Sequence, residues 1–333
     1  MLVDTGSTDS TLEIVKSHDV VLLKREWRDD FAWARNEALN AARGEWILYI
    51  DADERLSVPE GVQLVEGLDS PKTIAARVLF QPKVNATPFR EYRLFRNDPE
   101  IRFQGAMHET MVPDLRRKEA RGGVIVDSDA MIRHLGYEGD QAHKHARNLP
   151  LLRTAIVASP ERLYYWYHLG ETLTAMGRYD EAMAVVTEAL PRVEARAFSS
   201  AERSIATLLV GTYVHLLAQK GEDPLPAIEL GLRLYPTHAH LLLLKARALV
   251  ERRHLEAALV ILEGLVAIDS ATFVDPVLSY DRRIFDEYAP DLMGVVLLRM
   301  GRRAEAAAAF DRAARAAPDN LAYRAKAVAV RPH

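Results

Sequence analysis

The chain has 333 residues, 49% of them hydrophobic and 27% charged, with a formal net charge of −4. That is the composition of an ordinary globular protein long enough for two domains, and it carries no electrostatic footprint for nucleic acid or an anionic membrane surface. Cysteine is absent, which excludes disulfides, thiolate-bound zinc and a thiol nucleophile; with no membrane-length apolar run and no signal-peptide pattern, the expected location is cytoplasmic.

Met1 to Asp4 reads as the end of a strand, followed by the turn Thr5-Gly6-Ser7-Thr8-Asp9. Gly6 permits the tight turn, and Asp4 is placed at the carboxyl edge of a sheet, although Asp-x-Gly-Ser is also a common turn. Ser10-Thr11-Leu12-Glu13 has capping-box form ahead of an apolar stretch. Val20 to Leu23 reads as a strand. From Asp30 to Arg43 the apolar residues Phe31, Ala34, Ala38, Leu39 and Ala42 have helical spacing, with Asp30 as N-cap and Gly44 just past the end.

Trp46 to Ile50 is a short apolar run, expected as a strand buried on both faces. It delivers Asp51-Ala52-Asp53 and Glu54 to the sheet edge, where open α/β sheets bind ligands. Two apart on an extended chain, Asp51 and Asp53 point the same way and can converge on a divalent cation whose remaining ligands are phosphate. The same residues also suit a plain acidic turn. Ile74 to Phe80 is a further strand, and Tyr92 to Gln104 and Val124 to Ile132 suggest an added antiparallel piece. The alternation predicts an α/β, Rossmann-like domain with a mostly parallel sheet over residues 1–135.

Residues 136–160 read as a linker, and 161–333 as an all-α domain. Trp166, Leu169, Gly170, Gly177, Tyr179, Ala182, Val186 and Ala189 set a frame that Met293, Gly294, Leu297, Gly301, Ala306, Phe310, Ala313 and Pro318 repeat. These spacings match the 34-residue tetratricopeptide repeat, with weaker copies centred on Ala227 and on Ala257, Ile261 and Leu265. Stacked repeats bury a core between neighbours and leave a surface for a partner, for a second copy in a homodimer, or for packing on the first domain.

Several segments of the first half, in order, resemble family-2 glycosyltransferases of the GT-A fold. They are Val-Asp-Thr-Gly-Ser-Thr-Asp at 3–9, Phe-Ala-Trp-Ala-Arg-Asn at 31–36 and Gly-Glu-Trp-Ile-Leu-Tyr-Ile-Asp-Ala-Asp-Glu at 44–54. Tyr-Arg-Leu-Phe-Arg-Asn at 92–97, Phe-Gln-Gly-Ala-Met-His-Glu at 103–109, Ile-Arg-His-Leu-Gly-Tyr at 132–137 and Lys-His-Ala-Arg-Asn-Leu at 144–149 narrow the likeness to a bacterial subgroup with C-terminal tetratricopeptide repeats. Members of that group normally begin with one more strand–helix unit carrying an Asn-Glu pair, so the chain as given is expected to lack it.

The resemblance implies an inverting transfer from a nucleotide sugar, UDP- or GDP-linked, with Mn²⁺ or Mg²⁺, onto a protein, peptide or glycan acceptor. By position it places Asp4 and Gly6 at the nucleoside, Asp51 near the ribose, Arg35 near the phosphates and Asp53 on the metal. Arg35 also suits a plain helix-surface residue. Glu109 is the candidate base, and His108 or His134 would complete the metal shell or serve as structural imidazoles. Arg93 and Arg96 would meet phosphate or line an exposed strand. The alternative function is a non-catalytic repeat scaffold with a degenerate transferase domain.

Overall fold

The computed structural model of the chain describes all residues except 62–63, 65–67, 136–141, 195–197, 199 and 331–333. The expected start of the linker, and Gly136 and Tyr137 of the 132–137 segment, lie outside the described residues. The chain divides into two compact units, one formed by residues 1–80 and 90–160, the other by 81–89 and 161–333. Among the described residues no helix is long and apolar enough to cross a membrane.

In the first unit, β1 (Leu2–Asp4) and β2 (Leu22–Lys24) pair in parallel around α1 (Thr11–Lys16). This strand pair is parallel, but the larger sheet contains antiparallel pairs, so the unit is mixed rather than mostly parallel as expected. The larger sheet has five strands in the order β3-β6-β5-β7-β4. Its strands are β3 (Trp46–Leu48), β4 (Glu54–Ser57), β5 (Thr73–Gln81), β6 (Phe89–Arg96) and β7 (Val124–His134), and the β3–β6 and β4–β7 pairs are antiparallel.

β3 sits at the edge of that sheet, half-buried rather than covered on both faces, and Ile50 beyond it is 42% exposed. The apolar run at 46–50 has the composition of a central strand, but it pairs on one side only. Val20 and Val21 likewise fall before β2 and are exposed. Residues after Arg96, expected as extended to Gln104, leave the sheet.

Helix α2 (Phe31–Ala41) begins as its sequence dictates: the Asp30 carboxylate accepts the Trp33 N–H at 2.8 Å, satisfying one unpaired donor of the first turn. Its end is different. Ala42, with extended backbone, caps it, so Gly44 stands outside the helix terminus. At α1, Ser10 occupies the N-cap without a side-chain hydrogen bond; the Asp9 carboxylate accepts from Thr11 N instead, and the capping box does not form.

The five-stranded sheet is packed on both faces because successive side chains alternate across it. Ala75 and Phe95 join Ala32 and Leu39 of α2 and Leu115 of α3 (Val112–Ala120), whereas Ala76 and Leu94 pack with Leu68 on the other side. Residues 142–158, expected within the linker, form helix α4 (Ala142–Ala158) and belong to the first unit.

The second unit is a run of paired helices: α5 (Leu163–Ala175) with α6 (Tyr179–Glu194), α7 (Ser200–Lys220) with α8 (Leu225–Leu234), and α9 (Ala239–Glu251) with α10 (Leu255–Val266). A π-helical turn (Ile284–Tyr288) leads into α11 (Ala289–Arg299), which pairs with α12 (Arg303–Ala316) ahead of α13 (Leu321–Val330). Small residues stand where paired helices meet. A Cβ added at Gly170 would lie 2.8 Å from Val186, and one at Gly294 would lie 2.6–2.8 Å from three ring atoms of Phe310. In α10 the buried residues are Ala258, Leu259, Leu262 and Leu265; Ala258 and Leu262 stand one position later than the expected Ala257 and Ile261, and Ala257 is exposed. The first helix of each pair ends in a left-handed residue: Gly177, Gly221 and Gly301, and in the third pair Arg253 at φ 63°.

Candidate active site

The Asp4 side chain is 7% exposed and spends its oxygens on its own turn, accepting from Gly6 N at 3.3 Å and Ser7 N at 3.2 Å. The Ser7 hydroxyl, these two N–H groups and Lys24 hold the carboxyl below its usual range against the pull of burial. Gly6, at φ 116°, supplies the backbone angle that this closed turn requires. Asp4 and Gly6 are therefore one unit, as the sequence suggests.

Residues Asp51–Glu54 form a turn, with Glu54 N–H donating to the Asp51 carbonyl at 3.0 Å and the Glu54 carboxylate accepting from Asp51 N at 2.8 Å. The expected extended geometry, with Asp51 and Asp53 side by side, is thus corrected: the turn sends the two carboxylates to different partners. Asp51 meets Arg35 at 2.9 Å, and Asp53 lies 3.2 Å from His134 Nε2.

Strand register explains the second pairing. β4 starts at Glu54, which stands opposite His134 in the antiparallel ladder with β7, and the Asp53 carbonyl accepts the Leu135 N–H at 2.7 Å. His134 is thereby fixed beside the residue preceding β4. His108 occupies a different position, at φ 50° in the loop 105–109 that the Gln104–Thr110 backbone pair closes. Of the two candidate imidazoles, the recorded partner of Asp53 is His134.

That loop carries Glu109. Its side chain is 11% exposed, and its Oε1 accepts from Arg35 Nε. The loop is tied to the start of α2 by the bond from Phe31 N to the Ala106 carbonyl at 2.8 Å. Arg35, one turn into α2, therefore joins Glu109 to Asp51, with its guanidinium against the rings of Tyr49 and Phe103 at 5.0 and 5.5 Å. Burial opposes its charge, but Asp51 and Glu109 outweigh it and hold the guanidinium more firmly protonated than usual. A plain surface role for Arg35 does not fit these contacts.

Behind this assembly lies a second ion cluster that the sequence did not disclose. Arg93, 5% exposed, binds both Glu54 oxygens at 2.8 and 2.9 Å and Glu91 at 2.8 Å, sandwiched between Tyr49 and Phe80. Burial pushes the Glu91 carboxyl and the Tyr49 hydroxyl up, whereas the carboxylates keep Arg93 charged against burial. Arg96 donates to the carbonyls of Leu68, Ser70 and Thr73 and lies over Trp46. Both arginines hold the sheet, so the expectation of phosphate contact or an exposed strand is corrected. Alternation along β6 could have flagged Arg93, because it shares a face with the buried Phe95.

Asp53 and His134 place a carboxylate oxygen and an imidazole nitrogen side by side, the carboxylate being the donor suited to Mn²⁺ or Mg²⁺. Among the described residues no group of three His, Asp or Glu side chains converges to hold a metal alone. The two donors fit an ion that keeps the rest of its shell for phosphate and water, the arrangement expected of Mg²⁺-type diphosphate sites.

Comparison with known proteins agrees with this layout. Residues 1–122 match the family model described as glycosyl transferase family 2, and residues 163–190 that of the tetratricopeptide repeat. Over 186 residues the chain is 37% identical to a TPR repeat-containing protein of Synechococcus elongatus, an overlap of 53% of this chain and 46% of that protein. It is 26% identical over 192 residues to the SPbeta prophage-derived glycosyltransferase SunS of Bacillus subtilis, covering 55% and 44% of the two chains. The matched segments thus span less than half the length of these curated relatives. Among solved structures, YrrB, described as a TPR protein with an unusual peptide-binding site, aligns with a TM-score of 0.41 at 17% identity, over 56% of this chain and 84% of its own.

Proposed function

We propose that this chain, a family 2 glycosyl transferase domain joined to tetratricopeptide repeats, moves a sugar from a UDP- or GDP-linked donor to a protein, peptide or glycan acceptor, with inversion at the anomeric carbon. The observation that supports this reading best is Arg35, which gathers Asp51 and Glu109 beside the turn that sets Asp53 against His134.

Each side chain has a role consistent with its surroundings. The Asp4–Gly6 turn would border the nucleoside, and Asp51 would accept from a ribose hydroxyl. Glu109 is anchored through one oxygen by Arg35, so its other oxygen can take the proton of the acceptor hydroxyl as that hydroxyl attacks the anomeric carbon. The nucleoside diphosphate leaves from the opposite face, and charge passes from an oxocarbenium-like sugar to the departing phosphate. Arg35 is a fixed cation beside the candidate base, and a preorganised charge needs no rearrangement as negative charge develops on the departing phosphate. Mn²⁺ or Mg²⁺, held by Asp53 and His134, would supply further positive charge to the diphosphate.

The test is release of nucleoside diphosphate from a panel of UDP- and GDP-sugars, with Mn²⁺ and peptide acceptors present. Glu109→Gln is expected to lower transfer by about 10²- to 10⁴-fold while donor binding is retained. Absence of both donor binding and transfer would leave the repeat-scaffold alternative standing.

A further inference from the structure

The buried Glu54 carboxylate has a second task besides its pairing with Arg93. Its Oε2 accepts the Asp51 N–H at 2.8 Å while holding Arg93 Nη1 at 2.9 Å, and its Oε1 holds Nη2 at 2.8 Å. A planar guanidinium that grips both oxygens fixes a carboxylate in place and in rotation. The fixed carboxylate in turn fixes the Asp51 backbone. The Glu54 N–H closes the ring by donating to the Asp51 carbonyl at 3.0 Å.

Strand register puts Arg93 where it can do this. The β3–β6 ladder pairs Leu48 with Leu94, and its next rung is the Tyr49 N–H on the Arg93 carbonyl at 3.1 Å. The Arg93 side chain therefore shares a face with Tyr49, two residues before Asp51, and lies over the Tyr49 ring at 4.6 Å. Its Nε is taken by Glu91 at 2.8 Å. Asp51 is thus held twice, by Arg35 through its carboxylate at 2.9 Å and by Glu54 through its N–H. The Asp51 side chain is 41% exposed and can meet a ligand, whereas Arg93 and Glu54 are buried and cannot. A buried ion pair is by itself a poor source of stability, since apolar residues of similar volume often do as well. What this pair adds is the orientation of a neighbouring turn.

We propose that Glu54 and Arg93 are positioning residues, which hold the Asp51 backbone so that its carboxylate, steadied by Arg35, meets a ribose hydroxyl of the donor. The role rests on the transferase reading, in which Asp51 accepts from that hydroxyl; the hold on the turn does not depend on it. A hydrogen bond to ribose is present in the ground state and the transition state alike. Its loss should therefore raise the KM for the donor and leave kcat nearly unchanged. Misplacement of a group by a fraction of a bond length is enough for such an effect.

The experiment uses the full chain and Glu54→Asp, which keeps a charge for Arg93 but is one methylene too short to reach the Asp51 N–H as well. The first readout, without nucleotide, is amide hydrogen exchange at Asp51 by NMR. It is expected to speed up by at least about tenfold, because a hydrogen bond to a charged group is lost. The second is donor kinetics, with KM expected to rise about tenfold and kcat to stay within about twofold. A merely structural role would do the reverse, lowering kcat through loss of folded protein and leaving KM in place. Added to Asp51→Ala, which removes the carboxylate being positioned, Glu54→Asp should raise KM no further. Arg93→Lys, whose ammonium cannot grip both oxygens as a fork, should act in the same direction, and Glu54→Asp decides if that variant does not fold. Unchanged exchange at Asp51, unchanged KM, or additive KM effects in the double variant each overturn the proposal. A wild-type chain that turns over no sugar nucleotide overturns the transferase reading and the ribose role with it, while exchange at Asp51 still tells whether Glu54 holds the turn.

Discussion

His134 Nε2 lies 3.2 Å from Asp53 Oδ2, although the two residues are far apart in the sequence. The ladder between β4 and β7 makes them neighbours, since Glu54 pairs with His134 and Asp53 immediately precedes it. On the proposed metal role, loss of this register-set pair should be read in metal-dependent binding rather than in folding.

Calorimetry with UDP and GDP is expected to show tighter binding with Mn²⁺ than with a chelator. Asp53→Asn should remove that difference, a loss of at least about tenfold, since even outer partners of metal ligands are worth 10- to 100-fold. Its side chain is 45% exposed, so the melting temperature should hardly move. Binding that ignores the chelator would count against Asp53 and His134 as metal ligands.

Glu54 is the opposite case. It is 3% exposed and holds Arg93 through both oxygens. Glu54→Gln leaves a buried guanidinium short of charge compensation and should cost about 3–5 kcal/mol, the usual penalty for breaking a buried pair from one side. Denaturant unfolding followed by tryptophan fluorescence can measure this, because Trp27, Trp33 and Trp46 report on the first unit and Trp166 on the second. A wild-type midpoint would show that Glu91 alone suffices for Arg93.

Gly294→Ala sets two effects against each other. Alanine gains up to about 1 kcal/mol of helix propensity. Its Cβ would sit 2.6–2.8 Å from three ring atoms of the buried Phe310, and overpacking of that kind typically costs about 1–3 kcal/mol. The clash should win, lowering the helical melt of the second unit. Phe310→Leu added to Gly294→Ala should recover part of the loss, and additive losses would rule the ring contact out as the cause.

Acid should weaken the second unit through His238. This imidazole is 5% exposed, caps Leu241 N through Nδ1, and is driven by burial, then by His240, down to about 4 from 6.5. The unfolded chain takes up the proton below about pH 6.5, whereas the folded chain resists until about pH 4. Stability is therefore full above 6.5 and falls between those values, by up to roughly 3 kcal/mol for a shift of this size. Asparagine caps well and does not titrate. His238→Asn should flatten this part of the pH–stability curve, and an unchanged slope would assign the acid sensitivity to other groups.

Much of the site was legible in local sequence, and its connections were not. The Asp30 cap and the Gly6 turn follow from side-chain chemistry over a few residues, whereas a turn at 51–54 replaces the extended geometry expected there. The two in-frame repeats follow from the spacing of small and large residues, as at Gly170 with Val186 and Gly294 with Phe310. Long-range pairing escapes such a reading. Nothing near Arg35 says that it will bind Glu109, because that contact depends on how the 105–109 loop returns to α2. The apolar run at 46–50 suggests a central strand because composition records hydrophobicity and not the number of neighbours. Arg93 looks like a surface cation until strand alternation places it beside Phe95.

The segment 81–89 interrupts the first unit between two of its strands, and its residues are counted in the second. Thr87, fully buried, receives the Tyr280 N–H on its hydroxyl at 2.9 Å, donates its own N–H to the Tyr280 carbonyl at 2.8 Å, and accepts the Ser279 hydroxyl on its carbonyl at 2.5 Å. Arg282 N–H reaches the Asn85 carbonyl at 2.9 Å. A gene fragment beginning near residue 161 would therefore encode the helices without the short stretch that completes their hydrogen bonds around Tyr280. The two halves cannot be exchanged between relatives by recombination at a single junction. A crossover there would have to carry the 81–89 loop with the helical half, or evolve a new stretch to satisfy Ser279, Tyr280 and Arg282.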